Sequence, residues 1–185
     1  MNIMKTKQII ATAALLVVMA IGHVSIGFAL SLEDPIPPPV LPAGCEQLAP
    51  PAGNVVAYHV YALGVQIYSW NGTAWAFVGP DATLYASSNY RGQVGTHYVG
   101  PTWESNSGSL VVGNSALPCT PDATAIPWLR LNAASTYGPG IFEGVTYIQR
   151  INTAGGLKPT TPGTTIGDVA RVPYTTEYYF YKQED

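Results

Sequence analysis

The stretch GVQIYSWNGTAWAFVG, residues 64–79, decides the fold class. Two runs rich in β-branched and aromatic residues flank the pair Asn71-Gly72. Such a pair between two runs of this kind is the strongest short-range signal for a β-hairpin, because both central residues of a type I′ turn need positive φ. We therefore predict two antiparallel strands joined at Asn71-Gly72. With Thr73 the pair also forms a glycosylation sequon, but the turn alone accounts for both residues.

Further short segments of strand-like composition occupy most of the remaining chain, separated by Gly, Pro, Asn and Ser. They are NVVAYHVYA (54–62), DATLYA (81–86), VGTHYVG (94–100), SLVVGNSAL (109–117), TAIPWLRLNAAS (124–135), IFEGVTYIQRINT (141–153) and ARVPYTTEYYFYKQ (170–183). Pro127 indicates an edge or a bulge, and Pro173 is expected to break the start of the last strand. No window has helical periodicity over a useful length. The pattern predicts an all-β, single-domain, mostly antiparallel sandwich or barrel of many short strands.

The N-terminus has the features of a secretory signal peptide. Lys5 and Lys7 precede an apolar run at 9–22, and small residues fit a cleavage site after Ala29. We expect residues 1–29 to be removed and the protein to be secreted, periplasmic or at the cell surface, without membrane insertion after cleavage. The apolar run is short for a membrane span, and an uncleaved anchor is the alternative interpretation.

The next segment is rich in proline. Residues 30–53 include DPIPPP and LAPPAG, which favour an extended, polyproline-like chain. We expect a leader that lies outside the β-domain of residues 54–185. Cys45 and Cys119 are the only cysteines. In an exported protein such a pair is most simply one disulfide, although two free thiols are the alternative.

The charge of the chain excludes several classes of partner. Only 10% of the residues are charged. Without Lys5 and Lys7, six of the eight basic residues and all 11 acidic residues remain, a formal net charge of −5. Nucleic acid and anionic lipid both need clustered cations, so neither is an expected partner. Because 47% of the residues are hydrophobic, the chain can bury a core.

Common cofactor and nucleophile motifs are missing. We find no GxGxxG opening a helix, no GxxxxGK[ST], no GxSxG and no Asp-rich calcium loop. Beyond the signal peptide the histidines are His59 and His97. A three-histidine metal site is therefore excluded, whereas two histidines with one carboxylate would still be possible. We predict no cofactor and no metal.

The stretch THYVGPTWES, residues 96–105, concentrates side chains that could form a site. Glu104 follows Trp103, and a desolvated carboxylate beside an indole can have a raised pKa that suits a general acid. Arg150 is flanked by Ile148 on a long strand, and a buried charge is costly unless it is paired. We therefore predict a buried Glu104–Arg150 pair, which would serve stability or a site equally. The simpler interpretation of His59 and His97 is that each is a half-buried strand residue. The alternative is that the two histidines share a site.

Several segments together resemble one family. They are GVQIYSW, WAFVGPDATLY, VGTHYVGPTWE, AIPWLRL, VTYIQRINTAGG and VPYTTEYYFY, running from about Pro51 to Tyr181. The chain resembles the secreted bacterial and fungal family known as domain of unknown function 3455. The resemblance implies an exported single-domain β-protein but no mechanism. Some fungal members carry a malate dehydrogenase label, which this sequence does not support because it lacks a nucleotide-binding fingerprint.

The family's pattern falls on residues of two strands and the turns beside them. These are His97, Tyr98, Gly100, Pro101, Trp103, Glu104, Gln149, Arg150, Asn152 and Gly155-Gly156. Members of the family commonly have one cysteine after the IY of GVQIY and another in the late loop, but this chain has Ser69 and PTTPGTTIGD there. The family's disulfide is therefore not carried over, and Cys45 and Cys119 would form a different one.

Three functions fit these features. The leading hypothesis is a non-enzymatic exported β-domain that binds a small molecule, glycan or protein, or assembles with itself, since aromatic residues are abundant. Its candidate ligand-binding residues are His59, Tyr98, Trp103, Gln149 and Asn152. The alternative is a small hydrolase, lyase or metal-assisted enzyme with His97, Glu104 and Arg150 as candidate catalytic residues. The third is a structural matrix protein.

Overall fold

The computed structural model describes residues 35–184, and the predicted signal peptide lies outside them. The described chain contains eight β-strands and one short 3₁₀ turn at Glu46–Leu48. The strands are β1 (Asn54–Trp70), β2 (Trp75–Tyr85), β3 (Gln93–Tyr98), β4 (Thr102–Ser105), β5 (Leu110–Cys119), β6 (Trp128–Tyr137), β7 (Val145–Gly155) and β8 (Val169–Gln183). Within residues 35–184, no helix has the length and apolar character needed to cross a membrane.

The predicted all-β, antiparallel fold is confirmed, and the sheet closes into a barrel. Each strand pairs antiparallel with the next, and β8 returns to pair with β1. Closure depends on β1, whose 17 residues pair with β2 over Tyr61–Trp70 and with β8 over Asn54–Ser69. Because the sheet closes on itself, it has no open edges. The fold is therefore a barrel and not a two-sheet sandwich.

The predicted hairpin joins β1 to β2, but its turn is longer than a two-residue type I′ turn. Trp70 pairs with Trp75, which leaves four residues in the loop. The side-chain oxygen Oδ1 of Asn71 accepts hydrogen bonds from the amides of Thr73 and Ala74, at 3.0 and 2.9 Å. Gly72 has φ +98°. Asn71 therefore serves as a side-chain cap of the turn, while Gly72 alone takes positive φ.

Two strands run through residues of types that commonly interrupt strands. Gly64 lies inside β1, paired with both Ala82 and Tyr174. A Cβ at Gly64 would lie 2.3 Å from the carbonyl oxygen of Asp81. Glycine here therefore allows two strands to approach at a bend of the barrel and does not terminate β1. Pro173 likewise lies within β8, opposite Val65.

Strand β4 was not among the predicted strands. It is only four residues long, TWES. Gly100, with φ +97°, turns the chain sharply, so that Trp103 pairs with His97 and Glu104 with Thr96. The segment therefore folds back onto β3 as a strand.

The barrel buries an apolar and aromatic core. Side chains that share this core include Val60, Ala62, Leu84, Trp103, Val111, Leu131, Ile148, Tyr178 and Phe180. They recur at alternate positions along their strands, as the two-residue period of a β-strand requires.

A second, smaller core lies outside the barrel and is covered by the proline-rich segment. Ile151, Tyr179 and Tyr181 form it, with Leu41 packed against them. Leu48 in the 3₁₀ turn is fully buried. Residues 35–53, which the sequence analysis placed outside the domain, are thus packed on the barrel, and the tyrosines of β8 are buried and not an exposed aromatic edge.

The disulfide Cys45–Cys119 is present and fastens this segment to the end of β5. The Cα atoms are 5.6 Å apart, within the usual range for a disulfide. The bond spans 74 positions of sequence.

Replacing Cys45 and Cys119 together by serine is expected to lower the free energy of unfolding by about 4 kcal/mol, because the unfolded chain then regains the freedom of a long loop. Urea unfolding of the variant and the oxidised parent measures this difference. A loss below about 1 kcal/mol would contradict the role assigned to the disulfide.

Gly64→Ala is expected to destabilise the protein by about 3 kcal/mol, because its Cβ meets the backbone of β2. Leu63→Ala, at the exposed neighbouring position, serves as the control and should cost less than about 1 kcal/mol. Equal losses for the two variants in urea unfolding would show that the close approach at Gly64 has no energetic importance.

Candidate functional site

A cavity of about 280 Å³ lies at one mouth of the barrel. Antiparallel strands bring the ends of β1, β3, β5 and β7 to the same end of the barrel, and the cavity opens there. Three polar side chains line it: Gln66 of β1, His97 of β3 and Arg150 of β7. The remaining wall is mostly apolar and includes Phe77, Val78, Pro80, Pro101, Leu129 and Leu131.

Arg150 points into the barrel, between Leu129 of β6 and Tyr178 of β8. Its Nε and Nη2 donate hydrogen bonds to the carbonyl oxygen of Pro127, at 3.2 and 2.8 Å. This carbonyl anchors one side of the guanidinium. In residues 35–184 the ion pairs are His59–Glu177 and Arg171–Asp81, so no acidic side chain in this part of the chain pairs with Arg150.

The predicted Glu104–Arg150 pair is wrong. Trp103 is buried in the core, so its neighbour Glu104 lies on the outer face, where its Oε2 accepts a hydrogen bond from the Tyr98 hydroxyl at 2.8 Å. Arg150 lies on the inner face with Ile148. The wall of the barrel separates the two charges.

His97 is buried on the inner face, 3% exposed. Its Nδ1 donates to the carbonyl oxygen of Thr102 at 2.9 Å, and its ring stacks on Trp103 with centroids 4.3 Å apart. Desolvation lowers the pKa of His97 to about 3, with a further decrease from the Arg150 charge, partly opposed by the bond to Thr102. The imidazole is therefore neutral near pH 7 and poorly suited to carrying protons there.

Four buried polar atoms on the inner face make no hydrogen bond of standard geometry within the protein, although some of them lie close to one another. They are Gln66 Nε2, Trp103 Nε1, Tyr174 Oη and Tyr178 Oη. Tyr178 lies beside Tyr174, Arg150 and Trp103, and Tyr174 lies beside Gln66. Burial raises the pKa of both tyrosines, so their hydroxyls keep their protons. The polar interior is thus a continuous group of hydrogen-bonding side chains that reaches from the cavity into the core.

His59 belongs to a different group, on the outer face of β1 and β8. Its Nε2 is 2.7 Å from Oε2 of Glu177, and its ring stacks on Tyr179 at 4.0 Å. Asn152, with φ +50°, donates to the other oxygen of Glu177 at 2.8 Å. The two histidines do not share a site. No group of three His, Cys, Asp or Glu residues within the described chain is arranged to hold a metal.

Gln149 is also on the outer face and holds the proline-rich segment in place. Its Nε2 donates to the Leu48 carbonyl at 2.6 Å, and its Oε1 accepts from the Tyr181 hydroxyl. Of the predicted ligand-binding residues, only Trp103 faces the interior together with His97 and Arg150.

Sequence reasoning missed three residues of the inner group: Gln66, Tyr174 and Tyr178. Gln66 had a usable signal, because it continues the alternation of Val60, Ala62 and Gly64, which makes it a polar residue on an apolar face. The two tyrosines had none, because YTTEYYFY is aromatic on both faces.

The free energy of unfolding should depend on pH through His97. The unfolded chain takes up a proton near pH 6.5 but the folded protein only near pH 3. The contribution of His97 to the free energy of unfolding is therefore fully present above about pH 6.5. It falls between about pH 6.5 and 3, by up to about 1.4 kcal/mol per pH unit. Urea unfolding at pH 7.5, about 6 and about 5 should show a flatter dependence in His97→Gln than in the parent. Parallel curves would contradict the burial of a neutral imidazole.

Comparison with known proteins places the chain in one family. Residues 51–182 match the family described as protein of unknown function (DUF3455). No curated protein and no solved structure matches the chain. The matched residues cover most of β1 to β8, including all the inner polar residues named above, and the chain belongs to the DUF3455 family.

Proposed function

We propose that this protein is a binding module that holds a small organic molecule in the cavity at the barrel mouth. The cavity has the composition of a small-molecule site: mostly apolar walls with a few polar groups aimed at the same space. Its volume, about 280 Å³, lies at the small end of such sites. The expected ligand is therefore compact.

The single observation that carries this proposal is the set of four buried polar atoms without a protein partner. Each such atom costs about 1–3 kcal/mol when it is left unsatisfied. Phenylalanine at Tyr174 and Tyr178, or leucine at Gln66, would fill similar space without that cost. We attribute these polar groups to recognition, because packing does not need them: Gln66 lines the cavity, and Tyr174, Tyr178 and Trp103 continue the polar group from Gln66 into the core.

The enzyme alternative required Glu104, His97 and Arg150 to act together. Glu104 lies on the other side of the barrel wall, and His97 is a very weak base. An arginine and a neutral imidazole can bind and orient a molecule, but they do not form an acid–base pair near pH 7. The geometry therefore favours binding.

We further propose that the module works outside the cytoplasm. The disulfide supports this, because such bonds persist in oxidising compartments. The predicted signal peptide supports it independently.

Tyr178→Phe tests the proposal by separating stability from binding. It is expected to leave the protein as stable as the parent or up to about 1 kcal/mol more stable, because it removes a buried unpaired hydroxyl. It should also weaken the binding of ligands. These are to be found in an NMR screen of neutral, anionic and cationic fragments, as the fragments that shift the Trp103 indole N–H signal. Tyr98→Phe, on the outer face, is the matched control and should leave binding unchanged.

Two results would contradict the proposal. One is a screen in which no fragment moves the Trp103 indole signal, with Trp103→Phe used to assign that signal. The other is a Tyr178→Phe variant that binds as well as the parent.

A further inference from the structure

The inner face of the barrel carries a positive charge without an acidic partner. Arg150 lines the cavity, and no Asp or Glu within residues 35–184 is buried. Glu104, the acidic residue of the predicted site, lies on the outer face, where Tyr98 donates to it. A charge that is partly removed from water is costly unless an opposite charge compensates it.

The hydrogen bonds of Arg150 leave part of its guanidinium free. Pro127 accepts from Nε and Nη2, but a neutral carbonyl does not balance the charge. A guanidinium has five N–H donors in a planar fork, so three remain for other acceptors. A fork of this kind matches the two oxygens of a carboxylate.

The other polar groups neither cancel nor add to this charge. His97 is neutral, because burial and the Arg150 charge both lower its pKa. Tyr174 and Tyr178 keep their protons, because burial raises their pKa values. The inner group therefore carries a single positive charge, and one negative charge would balance it.

The hydrogen-bond donors of the inner side chains also favour a negatively charged ligand. Trp103 Nε1 and Gln66 Nε2 can only donate, and neither has a partner in the protein. The two tyrosine hydroxyls can also donate. An ionised carboxylate only accepts and offers about four lone-pair positions, so it can accept hydrogen bonds from Arg150 and from these donors together.

We propose that the cavity binds a compact organic molecule through one carboxylate, with Arg150 as its charge partner and Gln66 and Tyr178 as neighbouring donors. This inference rests on the proposed function and narrows it to a class of ligand. Leu129, Leu131 and Phe77 then cover the apolar remainder of the molecule, which the volume of the cavity limits to a short alkyl chain or one ring.

Matched pairs of carboxylate and amide test this inference on the exported, disulfide-bonded protein. The probes are benzoate with benzamide, butanoate with butanamide and hexanoate with hexanamide, followed at the Trp103 indole N–H by NMR in chloride-free buffer at pH 7.5. At least one carboxylate should bind, at least about tenfold more tightly than its amide. Phenylphosphonate, mostly dianionic at this pH, should bind more weakly than benzoate.

Gln66→Glu provides a second test, because it places a carboxylate of nearly the same shape beside the cavity. This internal anion should compete for Arg150 and weaken carboxylate binding at least about tenfold. Gln93→Glu makes the same change at an exposed position of β3 and should leave binding unchanged. Equal weakening by both variants would overturn the inference.

The outcomes separate this inference from the proposed function. If an amide binds as well as its carboxylate, or if only neutral or cationic fragments move the Trp103 signal, the carboxylate assignment is overturned while a binding module remains. If phenylphosphonate binds as tightly as benzoate, the preference for a carboxylate is overturned. If no compound of any charge moves the signal, both proposals are overturned.

Discussion

The pairing of β1 with both β2 and β8 is the constraint on which the rest of the structure depends. Once the sheet is closed, each strand residue faces either the interior or the outside, and the two-residue period of the strand decides which. That division separates Glu104 from Arg150 and His59 from His97, although sequence patterns suggested that each pair could meet. It also gathers Arg150, His97 and Gln66 from three strands at one mouth.

The outer face of the barrel is held together by its own set of contacts. The proline-rich segment covers Tyr179 and Tyr181, Gln149 holds its backbone, and the disulfide fastens it to β5. Gln149 and Glu177 on the outer face are hydrogen-bonded within the protein, whereas Arg130 Nε is buried there without a partner. The other four buried atoms without a partner lie inside the barrel, and one of them, Gln66 Nε2, belongs to a residue that lines the cavity.

Much of the fold followed from local chemistry. Alternation and turn residues indicated an antiparallel β-domain, Asn71-Gly72 located a hairpin, and two cysteines indicated a disulfide. Closure was not predictable, because it depends on pairing between residues more than 100 positions apart, such as Gly64 and Tyr174. The site was predictable only in part. Arg150, His97 and Trp103 were recognised as unusual, but the Glu104 partner was wrong because TWES was not among the predicted strands, so the outward direction of Glu104 was not deduced.

The proposed role of Arg150 is to place a positive charge inside the barrel for a ligand and not for stability. Its most direct test compares the free energy of unfolding of the parent and of Arg150→Met in buffer free of chloride and carboxylates, and again with increasing benzoate. We expect the variant to be at least as stable as the parent without benzoate, because a methionine needs no counter-ion. The parent alone should then gain stability as benzoate rises. A variant that is less stable by more than about 2 kcal/mol, with a parent indifferent to benzoate, would contradict the account.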